Sequence, residues 1–249
     1  KLCDVDKQFY LDYIDWLRSS CKTAWGKPVS PKTAHSYYTT LRTALNEAVR
    51  ENLIASNPWY RLEMTEKIKV PESKRDFLTI EEIKRMMATP FFNEQVRQAY
   101  LFSCFCGLRI SDIRKLRWRD LSMSGGQWRA SVVMTKTIHP VYIPLSSQAV
   151  KWLPERGDCT PDGFVFGGLP NEGNLCVNLK SWAEKAGVKK NVTFHTARHS
   201  CAVLLLTLGA DIYTVSKILG HRSVRSTQVY AKIVDKKKDD AIALVDNAF

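Results

Sequence analysis

The chain has 249 residues, 45% of them hydrophobic, and 37 lysines and arginines against 25 acidic residues give it a formal net charge of +12. This apolar content excludes a wholly disordered chain, and apolar runs as short as Ala202 to Leu206 exclude a membrane-spanning helix. The basic excess makes a polyanion the leading partner, ahead of an anionic membrane, because no basic amphipathic stretch suits a bilayer surface.

Seven cysteines without framework spacing suit a reducing compartment. No signal-peptide pattern precedes them, and a first residue of Lys1 reads as the start of a fragment of a longer chain.

In chain order, Phe9, Tyr13, Trp16 and Leu17 fall at helical spacing, and so do Tyr37, Leu41, Leu45, Ala48 and Val49. Ser30-Pro31 supplies a cap followed by proline at the first helical position, and Asn57-Pro58 marks a turn. A small helical bundle is expected. The stretch from Met64 to Arg75 is polar, charged and broken by Pro71, which lacks an amide hydrogen and biases Val70 away from helix. The expected organisation is a helical domain over residues 1–68, a linker over 69–75 and a second domain over 76–249 with a tail at 236–249. Up to Lys74 there are 12 basic and 9 acidic residues, and beyond it 25 and 16, so the second part carries most of the positive charge.

The second part reads as mixed. Thr79 with Glu82 predicts a capping box opening a helix through Met87, Val96 to Cys106 a buried helix, and Ser111 to Leu116 the start of another. Gly125-Gly126 turns the chain into a strand at Trp128 to Met134, and Val141 to Ile143 reads as the returning strand. From Thr196 onward helices return, at Cys201 to Leu208, Ile212 to Leu219 and Ser226 to Ile233. The fold class is therefore mainly α with a small β-sheet or hairpin.

Several polar residues stand out against this framework. Arg109 follows an apolar helix in Cys106-Gly-Leu-Arg-Ile-Ser-Asp112, with Asp112 three residues on. A surface ion pair is the plain reading; a guanidinium held beside a carboxylate also makes an oriented phosphate clamp. His195-Thr-Ala-Arg198-His199 places a histidine and an arginine three apart on one helical face, and Leu219-Gly220-His221 follows a later helix, with Tyr230 nine residues further on. Lys136 lies between the two expected strands. No CxxC pair, HExxH, Walker loop, GxGxxG or GxSxG occurs, so neither a metal nor a nucleotide cofactor is expected.

Two arginines, two histidines, a lysine and a tyrosine are the groups that metal-free phosphoryl transfer from DNA requires. Their order and spacing resemble the tyrosine recombinases, or phage integrase family, over essentially the whole chain. The specific blocks are CGLRISD around Arg109, HTARH around Arg198, and LGH followed by Tyr230. Cys106 stands where the family often has Thr.

The resemblance implies a helical core-binding domain that closes over DNA opposite a recombinase catalytic domain. It makes Tyr230 the nucleophile that forms a 3′-phosphotyrosyl link and frees a 5′-hydroxyl, so that ends rejoin without ATP. His195 is then the proton acceptor, Arg109 and Arg198 hold the non-bridging oxygens, and His221 donates to the same phosphate. Lys136 protonates the departing oxygen, and Asp112 orients its neighbours. His139 is expected to be structural or a DNA contact, and His199 to point elsewhere and pack. In the first domain Lys32, His35, Tyr38 and Arg42 are expected phosphate contacts.

The implied partner is double-stranded DNA, bound by a tetramer linked through the apolar tail (Ile242, Leu244, Val245, Phe249) and by a monomer in its absence. The setting is the cytoplasm of a bacterium carrying a mobile element. Two readings compete: a non-catalytic regulator using Leu204 to Leu219 as a helix-turn-helix, and a DNA-relaxing topoisomerase with the same chemistry.

Overall fold

In a computed structural model, which describes residues 4–70, 75–135 and 140–230, the chain divides into two units, Lys1–Lys74 and Arg75–Phe249. The first unit is built on two helices, α1 (Lys7–Ser19) and α2 (Pro31–Arg50), followed by a short 3-10 turn at Pro58–Arg61. Asp6 caps α1 by accepting from the Phe9 amide, and Ser30 caps α2 with Pro31 at its first position.

The buried stripe of α1 is Tyr10, Ile14 and Leu17, spaced four and three apart. Phe9 and Trp16, which the sequence pattern places on the core face, are 39% and 48% exposed. Helical spacing admits two apolar stripes here, and packing selected the other one. On α2 the same choice buries Ala34, Tyr38, Leu45 and Ala48 and leaves Tyr37 exposed.

That corrects the expectation for Tyr38. Its ring is 3% exposed and meets Tyr10 edge-on at 6.3 Å, so it builds the core instead of a phosphate contact. Asn57, also buried, ties the unit together: its amide donates to the Arg42 carbonyl and to Asn46, and its oxygen accepts from Tyr10. Such buried polar groups are tolerated because they are paired.

The second unit opens with α3 (Ile80–Ala88), whose Thr79–Glu82 capping box forms as the sequence predicts. Helix α4 (Glu94–Cys106) is buried on most of its faces and packs along α8 (Phe194–Thr207). Between them in sequence lie α5 (Ile110–Ile113), three antiparallel strands β1 (Leu121–Ser124), β2 (Gln127–Val133) and β3 (Pro140–Pro144), then α6 (Ser147–Lys151) and α7 (Glu172–Lys185). The register aligns Leu121 with Ala130 and Ala130 with Ile143, putting one buried row on the inner face of the sheet. Strand β1 was not expected from the sequence. The chain closes with α9 (Ile212–Ile218) and α10 (Arg225–Gln228). The expected helix Ser226 to Ile233 is described only up to Tyr230.

Candidate active site

Four segments of the second unit meet around Arg198. Helix α4 ends at Gly107, which takes φ +74°, and a Cβ there would stand 2.5 Å from Leu219 Cδ2. Only glycine combines that left-handed turn with that approach. The turn sets Arg109 at the start of α5, where its guanidinium lies 4.0 Å from the Asp112 carboxylate and contacts the Met134 sulfur at 3.8 Å. Asp112 is buried, and its other oxygen accepts from the Thr135 amide at 2.9 Å. Asp112 thus ties Arg109 to the root of the β2–β3 hairpin. Lys136 and His139 themselves lie outside the described residues, as does the tail 236–249.

Arg198 is 4% exposed and donates to the Gly107 carbonyl at 2.7 Å and to the Leu219 carbonyl at 2.5 Å. Burial, and then the like charge of Arg109, pull its pKa down to about 10, so it stays a cation at neutral pH. The two carbonyls leave the remaining guanidinium N–H groups for an anion.

Leu219 ends the helix-turn-helix segment formed by α8, Gly209 and α9, so that segment helps build the arginine site. After it, Gly220 turns at φ +61° with Met134 and Val141 each 3.0 Å from where its Cβ would lie, and His221 follows. His221 bonds Thr227 Oγ1 through Nδ1 at 2.8 Å. Burial, followed by the charges of Arg198 and Arg109, lowers its pKa to about 4.

Tyr230 is 2% exposed. Its hydroxyl hydrogen-bonds Nδ1 of His199 and accepts from the Arg75 guanidinium at 3.4 Å. Burial raises the phenol pKa; the Arg75 hydrogen bond and charge, and then the Arg198 charge, work against that. His199 is lowered to about 4, by burial first and then by Arg75.

The expectation that His199 points elsewhere and merely packs is therefore corrected. It lies four residues after His195, on the same face of α8, and the two rings are 6.5 Å apart. His195 is exposed at this point of the helix. Arg75 went unnoticed because it reads as the end of a charged linker.

Arg109, Asp112, Arg198, His221 and Tyr230 feel one another's charges around Arg198, and His195 lies beside His199. In the first unit Lys32 is exposed and His35 half-exposed, while Arg42 lies 3.8 Å over the Trp59 ring, with Lys67 at 4.1 Å from the same ring. Among the described residues no cluster of three or more His, Cys, Asp or Glu could hold a metal ion, and no helix is long and apolar enough to cross a membrane.

The buried Tyr230 phenol thus lies against His199 and Arg75 and feels the charge of Arg198. Residues 76–237 match the phage integrase family, and residues 1–69 match the phage integrase SAM-like domain. A tyrosine recombinase of Thermosipho africanus is 31% identical over 232 residues, covering 87% of this chain and 77% of that protein. Tyrosine recombinase XerD of Pseudomonas putida is 26% identical, covering 93% and 79%.

Among solved structures, the XerH recombinase bound to palindromic difH substrate superposes with a TM-score of 0.71 at 17% identity, over 99% of this chain and 74% of that one. The Tn1549 transposon integrase in complex with transposon right-end DNA gives 0.72 at 16% identity, over 98% and 87%. The chain belongs to the phage integrase family. Within it, this protein is a tyrosine recombinase, an enzyme of DNA strand cleavage and rejoining.

Proposed function

We propose that this recombinase binds double-stranded DNA and exchanges strands at a specific site on a mobile element in the bacterial cytoplasm, with Tyr230 as its nucleophile. The observation that supports this reading is the buried Tyr230 phenol lying near enough to the buried, carbonyl-anchored Arg198 for that cation to favour its ionised form.

In the reaction, the Tyr230 oxygen attacks a backbone phosphorus and the bond to the 5′-oxygen breaks. The enzyme is left on the 3′-phosphate. The phenol proton passes to His195, and Lys136 gives a proton to the departing 5′-oxygen. Arg109 and Arg198 take the charge that builds on the non-bridging oxygens, with His221 donating to the same phosphate; stabilising that charge is the dominant contribution in such chemistry. The reverse attack rejoins the strand without ATP, because the covalent link conserves the phosphodiester energy. The phenol must first leave His199 and Arg75, since both hold its buried oxygen.

In the first unit, Lys32, His35 and Arg42 contact phosphates, positioning the duplex and making affinity salt-dependent. Assembly on DNA is tetrameric. The apolar tail residues Ile242, Leu244, Val245 and Phe249 link the copies.

The test is a nicked suicide duplex carrying a site selected from random DNA by cleavage. The wild-type chain is expected to form a covalent adduct that survives a denaturing gel, and Tyr230→Phe none. The regulator reading predicts binding without an adduct in either; the topoisomerase reading predicts adducts on any sequence and relaxation of supercoiled DNA.

A further inference from the structure

We infer that Thr227 is a positioning residue for this reaction: its hydroxyl donates to Nδ1 of His221 and fixes the imidazole tautomer that carries its proton on Nε2. The inference rests on the reading of His221 as a donor to the scissile phosphate.

The geometry constrains the protons closely. Thr227 is 0% exposed, and its Oγ1 lies 2.8 Å from His221 Nδ1. A buried hydroxyl must place its proton on an acceptor, or the full desolvation penalty of an unmade hydrogen bond remains. Among the described residues Nδ1 is the one partner recorded for this hydroxyl. A neutral imidazole has one N–H and one lone pair, and the bond made by one nitrogen decides which nitrogen carries the proton.

His221 is neutral near pH 7, because burial and the charges of Arg198 and Arg109 oppose its protonation. If Thr227 donates, Nδ1 accepts and Nε2 is a donor, which is the form that can hydrogen-bond a phosphate oxygen. The opposite tautomer fails twice. It strands the threonine proton in a closed environment and turns the Nε2 lone pair toward an anion.

Thr227 also belongs to the scaffold under the nucleophile. Its amide donates to the Val224 carbonyl at 2.7 Å, and its carbonyl accepts from the Tyr230 amide at 2.9 Å. The same residue therefore sets the His221 proton through its side chain and supports the Tyr230 segment through its backbone. His221 is anchored from the other side by its own amide, which donates to the Ser216 carbonyl at 3.0 Å. No sequence motif drew attention to Thr227, which reads as one polar residue in a short helix.

The experiment has two readouts. The first is the nitrogen-15 imidazole spectrum of the free full chain near neutral pH, with the His221 signals assigned by their loss in His221→Gln. Wild type is expected to show His221 protonated on Nε2 alone. Thr227→Val is expected to mix the tautomers, and Thr227→Ser, which keeps the hydroxyl, to restore the single form.

The second readout is cleavage of the suicide duplex. Thr227→Val is expected to slow adduct formation about tenfold to a hundredfold, the range typical when the partner that orients a metal-bound histidine is lost. DNA binding should be unchanged, and Thr227→Ser should recover most of the rate. In a His221→Gln background Thr227→Val should add nothing, because the interaction it removes is already gone.

A wild-type His221 protonated on Nδ1 would overturn the inference. So would full-rate cleavage by Thr227→Val, or a Thr227→Ser variant no better than the valine one. If no adduct forms in any variant, the recombinase reading fails, while the tautomer spectrum of the free protein still decides the role of Thr227.

Discussion

Arg198 holds two backbone carbonyls, those of Gly107 and Leu219, and offers what remains of its guanidinium to the reaction. Arg198→Ala should therefore do two things. It should abolish adduct formation, and it should cost stability, because two buried carbonyls lose their donor at about 1–3 kcal/mol each. A denaturant titration beside a filter-binding assay checks this: the midpoint should fall while DNA affinity at the folded plateau stays near wild type, supplied by other cations. Unchanged stability would contradict the buried hydrogen bonds. Most of these side chains could be read from the sequence, because Arg109, Arg198, His221 and Tyr230 sit in blocks of fixed spacing. The partners of the phenol could not. His199 adjoins Arg198 and is expected to point elsewhere and pack, although a separation of four from His195 already puts both histidines on one face. Tyr38 is expected to contact phosphate, but its ring packs against Tyr10 and is buried.

At the scale of elements, caps and turns were legible and faces were not. The Thr79–Glu82 box, the Ser30-Pro31 start and the Gly107 turn are local chemistry that survives folding unchanged. The buried face of α1 depends on what packs against it, and two apolar stripes competed for that place. Strand β1 is four residues, Leu121 to Ser124, with a single buried side chain, too short to show an alternating pattern. Gly107 carries the sharpest prediction at this level. Gly107→Ala forces a Cβ into Leu219 at a positive φ and should destabilise the second unit by about 1–3 kcal/mol, the usual strain for such a backbone position. The denaturation midpoint reads this directly. A neutral substitution would mean that α4 and Leu219 are not packed as described.

For the whole molecule, charge is the property that joins fold to function. His199 and His221 have folded pKa values near 4 against an ordinary 6.5, so the unfolded chain binds their protons more readily. The stability they contribute is complete above about pH 6.5 and is lost as the pH falls toward 4. Midpoints measured across that window should drop with falling pH, and the drop should shrink in His199→Gln; a flat profile in the wild type would contradict the burial of these rings among cations. The formal charge of +12 was legible from composition alone, but composition does not place the cations. The fold does, by bringing Arg75 and Arg198 to the Tyr230 phenol and Arg109 beside Arg198. The most direct measurement is mass spectrometry of the covalent adduct after nuclease and protease digestion. The account predicts a 3′-nucleotide on a single peptide, attached to Tyr230. Attachment to another tyrosine, or to a serine, would contradict it.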